Sequence, residues 1–133
     1  MGLLLSPQNW GLGGFFKENT MQLTTENIGD VALVSIHSDH LDASVTDELK
    51  RDMGPLLDGH TKVVLDMSEL RFVDSAGIGA ILSCLRRLSA KDGDLKLCGV
   101  TKPVRASFEI ARMHRIIDIL DTRDEALAAF EEG

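Results

Sequence analysis

The chain has 133 residues, enough for one domain of ordinary size, with 44% apolar and 26% charged residues as in a globular protein. No apolar run reaches the roughly 18–20 residues that span a bilayer, so membrane insertion is not expected. Lys and Arg number 14 against 21 Asp and Glu, a net charge of −7 that opposes direct nucleic-acid binding and suits a protein partner or solubility. Residues 1–20 hold four of the twelve glycines and little charge, and lack helical or strand periodicity. They lack the basic start and apolar run of a secretory signal. Met1-Gly2 with Ser6 fits the short myristoylation pattern, which the rest of the chain does not reinforce. The segment is read as an extension, and the domain as residues 21–133. Trp10, Phe15 and Phe16 form an apolar cluster suited to a surface groove.

Residues 22–27 and 31–37 read as two strands joined by a turn at Ile28-Gly29-Asp30. In the second strand Val31 and Leu33 face one side, Ala32, Val34 and Ile36 the other. Asp42 or Ser44 is placed to cap a helix reaching about Leu57, with Val45, Leu49, Met53 and Leu56 inward. Pro55 should disturb its last turn. Residues 62–67 form a central strand, and 70–73 a short extended link. Residues 75–90 form the clearest helix, with Ile78, Ile81, Leu82, Leu85 and Leu88 as the core stripe. A strand at 94–98 and a helix over 102–112, capped by Thr101, follow. Val104, Phe108 and Ile110 of that helix are expected to be partly buried. A short strand within 115–120 and a final helix capped by Asp121 or Thr122, with Ala126, Leu127 and Phe130 inward, complete the chain. Strands that alternate with helices imply crossovers and a largely parallel sheet, with the opening hairpin adding an antiparallel edge. The fold class is α/β, one domain with a mixed, largely parallel sheet and flanking helices.

The segment from Val63 to Gly79 runs strand, short link, then Asp74-Ser75 at a helix start. The first N–H groups of a helix have no internal partner and the dipole is positive there, so a phosphoryl group on Ser75 would meet free donors. The small residues Ala76, Gly77 and Gly79 leave room for a macromolecule. With the apolar stripe on the sheet, Ala76, Gly79, Ala80, Ser83, Arg86 and Arg87 point outward. Capping by Asp74 and Ser75 and close packing by the glycines explain the same residues without any partner.

LDMSELRFVDSAGIGAIL resembles the signature of the STAS domain family, in particular bacterial anti-sigma factor antagonists. The likeness runs from Met21 to about Phe130. Asp39-His40-Leu41-Asp42 is similar to the family's turn before its first helix. The resemblance implies a phosphoacceptor at Ser75, with Asp74, Asp42, Ala76, Gly77, Gly79 and Ser83 as partner-binding residues. Ala76 stands where many members carry a second hydroxyl, which leaves Ser75 as the sole candidate there. Ser38-Asp39-His40 replaces the usual glycine. The implied partners are an anti-sigma factor with serine-kinase activity and a metal-dependent phosphatase. The implied location is the cytoplasm, and no cofactor belongs to this chain. A second reading is a STAS-like accessory subunit that regulates a transporter or another complex without phosphorylation.

No enzymatic role is expected. Val73-Asp74-Ser75-Ala76-Gly77 lacks the first glycine of a hydrolase elbow. Gly77-Ile78-Gly79 is not a full dinucleotide motif, and no Walker lysine follows. His37, Asp39, His40 and His60 lack standard ligand spacing, so no metal site is expected. Asp66 alone does not supply the acidic cluster of a receiver domain. Cys84 and Cys98 lack CxxC spacing and read as small buried residues.

Overall fold

Val63, Val64 and Leu65 form an unbroken apolar run because both faces of their strand are covered. In the computed structural model, which describes residues 22–132, that strand is the middle of a five-stranded sheet. The strands are β1 (Gln22–Ile28), β2 (Val31–His37), β3 (His40–Leu41), β4 (Lys62–Asp66), β5 (Phe72–Val73), β6 (Asp94–Cys98) and β7 (Asp118–Leu120). The helices are α1 (Thr46–Gly59), α2 (Ser75–Ser89), α3 (Lys102–Ile110) and α4 (Arg123–Glu132). The sheet order is β1-β2-β4-β6-β7. Only β1 is antiparallel to its neighbour, with Gln22 opposite His37 and Ile28 opposite Val31. Gly29, at φ +63, supplies the left-handed backbone that the turn requires. β3 and β5 form a separate parallel ladder, with His40 opposite Phe72 and Leu41 opposite Val73.

Strand alternation divides the core in two. Ala32, Val34, Ile36, Val63, Leu65, Leu95 and Leu97 meet α1, α2 and α3 on one face. Val31, Leu33, Val64 and Cys98 meet Ala126 and Phe130 of α4 on the other. The expected split of β2 and the inward residues of α4 are therefore present. The α4 face also buries Lys96, whose ammonium lies 2.6 Å from Asp118 and 3.2 Å from Asp94, under the Phe130 ring. Buried Asp66 is bonded by Arg123 at 2.5 Å and by the Ser68 N–H at 2.9 Å. Thr122 and Glu125 exchange bonds at 3.1 Å across the first turn of α4, so Thr122 is its cap.

Several local expectations are corrected. α1 starts at Thr46 behind Val45, with no side-chain cap, because Asp42 is occupied by Ser44. It runs through Pro55 to Gly59. α2 buries Gly77, Ala80, Ile81, Cys84 and Leu88, while Ile78, Leu82 and Leu85 are half-buried. Ala80, expected outward, is therefore in the core: small side chains let this face approach the sheet closely. Ile110 is 85% exposed, because α3 ends there and Val104 and Phe108 fill the core. Met113–Arg115 is a 3-10 turn, which shortens the last strand to Asp118–Leu120. Thr101 precedes α3 without capping it; its hydroxyl donates to the Leu70 carbonyl at 2.7 Å. The expectations for residues 1–20, Trp10, Phe15 and Phe16 included, lie outside the described residues.

Candidate functional site

The helix start at Ser75 is fixed by a chain of backbone bonds. The Met67 N–H donates to the Cys98 carbonyl at 2.9 Å, and Arg71 and Phe72 both donate to the Asp39 carbonyl at 2.8 and 3.1 Å. The Asp74 N–H donates to the Leu41 carbonyl at 3.3 Å. The β3–β5 ladder thus holds the loop before α1 against the start of α2.

Asp74 is the N-cap of α2. One carboxylate oxygen accepts from the Gly77 N–H at 2.9 Å and the other from the Ala43 N–H at 3.4 Å. This one side chain satisfies a helix donor and ties the loop to it. Gly77 explains the closeness of the contact: a Cβ there would lie 2.2 Å from the Leu41 carbonyl oxygen and 2.8 Å from Val73 Cγ2. Gly77 is buried, so it shapes the site from beneath and leaves no room for a macromolecule, contrary to the expectation from its size.

Ser75 is the first helical residue and is exposed, and its hydroxyl takes no part in a hydrogen bond among the described residues. Gly79, one turn on, is exposed with open space where a Cβ would be. Ala76 and Ser83 are half-buried. Arg86 is exposed, while Arg87 is joined to Asp58 of α1 at 2.7 Å. Asp42 accepts from the Ser44 hydroxyl at 2.6 Å and the Ser44 N–H at 3.0 Å. The Ser44 hydroxyl, aided by that N–H, holds the Asp42 carboxyl below the usual carboxylate range. His40 is bonded to Asp39 at 2.9 Å; that bond raises its pKa against a smaller opposing effect of burial. Asp42, Asp74, Ser75, Ala76 and Gly79 therefore share one end of the molecule, and Ser83 lies two turns along α2.

Neither Asp42 nor Asp74 is in a salt bridge among the described residues, although His40 lies close enough to Asp42 to favour its charged form. The three described loop and strand histidines are occupied separately. His37 joins Thr24 and Glu69, both at 2.8 Å; His40 joins Asp39; His60 joins the Leu56 carbonyl at 3.0 Å and Asn27 at 3.1 Å. Among the described residues, no group of three or more His, Cys, Asp or Glu is placed to hold a metal ion. Burial pushes the Cys84 and Cys98 thiols up to about 11, as expected of inert core cysteines. No helix among the described residues is long and apolar enough to cross a membrane.

Sequence reasoning missed Phe72. It is 53% exposed, three residues before Ser75. Alternation about buried Val73 was the available signal, but a strand of two residues is too short to show a period.

A mixed sheet with three helices on one face and one on the other, with an exposed serine at a helix start, defines a small α/β domain. The chain belongs to the STAS domain family, whose model matches residues 22–126. A Bordetella bronchiseptica protein named "Putative anti-sigma factor antagonist BtrV" is 30% identical over 112 residues, covering 84% of this chain and 96% of that one. An anti-sigma factor antagonist from Mycobacterium paratuberculosis has the same fold, with a TM-score of 0.75 at 20% identity over 86% of this chain and 97% of that one. The Bacillus cell fate determinant SpoIIAA, solved in its phosphorylated form, superposes with a TM-score of 0.63 at 19% identity over 82% of this chain and 99% of that one. These likenesses agree with the α/β class and the antiparallel edge expected from the sequence.

Proposed function

We propose that this chain is an anti-sigma factor antagonist whose binding is switched by phosphorylation of Ser75. The observation that carries the reading is the exposed Ser75 hydroxyl, without a hydrogen-bond partner among the described residues, at the first position of α2 beside a capping carboxylate. Family membership and the relatives' names support it, as does the existence of a phosphorylated protein with this fold. The unphosphorylated chain binds an anti-sigma factor with serine-kinase activity in the cytoplasm and so frees a sigma factor. The partner kinase transfers the γ-phosphoryl group of ATP to Ser75 Oγ, which loses its proton, and ADP leaves. A metal-dependent phosphatase returns the hydroxyl by hydrolysis. The chain acts as a binding partner and substrate rather than as a catalyst.

Charge supplies the switch. Phosphate replaces a neutral hydroxyl with about −1.5 to −2 at pH 7. It lands beside Asp74 and at the same end of the molecule as Asp42, so it adds to two carboxylates already there, with only the positive end of the α2 dipole acting in its favour. Desolvating that charge against a partner weakens the complex further, and a change of about 3 kcal/mol lowers affinity more than a hundredfold. Incubation with the cognate kinase and ATP, followed by mass mapping, tests the acceptor. Phosphate on Ser75 is the expected result; phosphate on other residues alone would remove Ser75 as the switch.

A further inference from the structure

The two flanks of α2 are not equally covered. On one side Arg87 reaches Asp58 of α1 at 2.7 Å and approaches Gly54, and α1 is the helix that packs most extensively on α2. On the flank turned from α1 lie the half-buried Ile78, Leu82 and Leu85, and α3 scarcely touches α2. Phe72 stands at the same end of the molecule as Ser75. Strand alternation turns Val73 into the core and Phe72 out of it. Phe72 is the one exposed aromatic among the large exposed apolar residues of the described chain; Ile28 lies at the hairpin, and Ile110 and Ile116 bracket the turn after α3.

We propose that Phe72 is the apolar anchor by which the protein that reads Ser75 docks, with Ile78 and Leu82 adding apolar surface to the same contact. The inference rests on the reading of Ser75 as the switch. Two residues separate Phe72 from Ser75, and the three extended steps between them span about 10 Å. A standard interface covers about 800 Å² on each partner, a patch roughly 30 Å across. A protein that senses Ser75 through such a patch covers Phe72 as well. Exposed aromatics that become buried at the middle of an interface dominate its affinity. The carboxylates of Asp42 and Asp74 and the net charge of −7 oppose a nucleic acid stacking on the ring. The occupant is therefore a protein with an apolar pocket, the anti-sigma factor itself, and phosphate on Ser75 would charge the rim of the contact that buries Phe72.

The test is a titration of the purified cognate anti-sigma kinase with wild type, Phe72→Ser, Ser75→Glu and, as a control, Ile110→Ser, with unfolding midpoints measured in parallel. Phe72→Ser is expected to lose at least tenfold in affinity with its midpoint unchanged, and Ile110→Ser to bind as wild type. If Ser75→Glu loses affinity and Phe72→Ser does not, the anchor is wrong and the switch stands. If wild type does not bind the kinase, the switch and the anchor both fall. Sedimentation of the free chain gives the remaining arm: self-association abolished by Phe72→Ser would make a second copy the occupant and overturn the proposal.

Discussion

Asp74 holds two backbone donors from different elements, Gly77 of α2 and Ala43 of the preceding loop. Asp74→Ala removes the cap and frees the loop, at a cost of about 1–2 kcal/mol. The urea midpoint should fall with little change in slope. Gly77→Ala should cost about 1–3 kcal/mol, because the added methyl meets the Leu41 carbonyl and Val73 and neither is the end of a flexible chain. Ser75 differs from both. It follows the cap and is exposed, so Ser75→Ala should change stability by less than about 0.5 kcal/mol. The same denaturation series would check all three, and a large loss at Ser75 would mean that its hydroxyl supports the helix start.

At the scale of elements, α4 is fastened to the central strand by Arg123, which bonds both Asp66 and the Ser35 hydroxyl. Burial of Asp66 would raise its pKa, but the Ser68 N–H and Arg123 outweigh this, and the carboxyl lies below its ordinary value. A depressed folded-state pKa contributes stability that is complete above the unfolded value of about 3.9 and is lost as pH falls through the folded value. Urea midpoints of wild type should therefore hold, as far as this pair is concerned, down to about pH 4 and then fall. Arg123→Ala removes one of the groups that hold the Asp66 carboxyl down against its burial, so the acid loss should begin at higher pH. Its cost at neutral pH is about 1–2 kcal/mol, moderated because Arg123 is half exposed. An unchanged acid profile would show that Arg123 does not hold the Asp66 charge.

Elements with a full period were legible in the sequence. β4 declared itself by an apolar run, β2 by alternation and α4 by its inward trio. β3 and β5, two residues each, carry no period, so the ladder that positions Ser75 could not be read. The face of α2 was misplaced by a partial turn because hydropathy ranks Ile and Leu above Gly, Ala and Cys, whereas the buried face carries Gly77, Ala80 and Cys84, with Gly77 pressed against the Leu41 carbonyl. The helix start itself was legible, since Asp-Ser before an apolar stripe is a capping signal. The double use of Asp74 depends on a loop 31 residues earlier in the chain and has no local mark.

For the whole molecule, both core clusters of the described residues are built from residues between Val31 and Phe130. A chain beginning at Met21 should therefore keep a single cooperative unfolding transition, checked by circular dichroism and fluorescence-independent denaturation curves. Loss of that transition would place residues 1–20 in the core. The molecule is acidic, and Asp42 and Asp74 lie at the end that carries Ser75, so a phosphate there would add to negative charge already present. The most direct measurement is the affinity of the cognate anti-sigma kinase for the unphosphorylated chain, the chain phosphorylated at Ser75, Ser75→Ala and Ser75→Glu. Ser75→Ala should bind as tightly as the unphosphorylated chain, Ser75→Glu more weakly, and the phosphorylated chain more than a hundredfold more weakly. Equal affinities for the phosphorylated and unphosphorylated chains would contradict the switch.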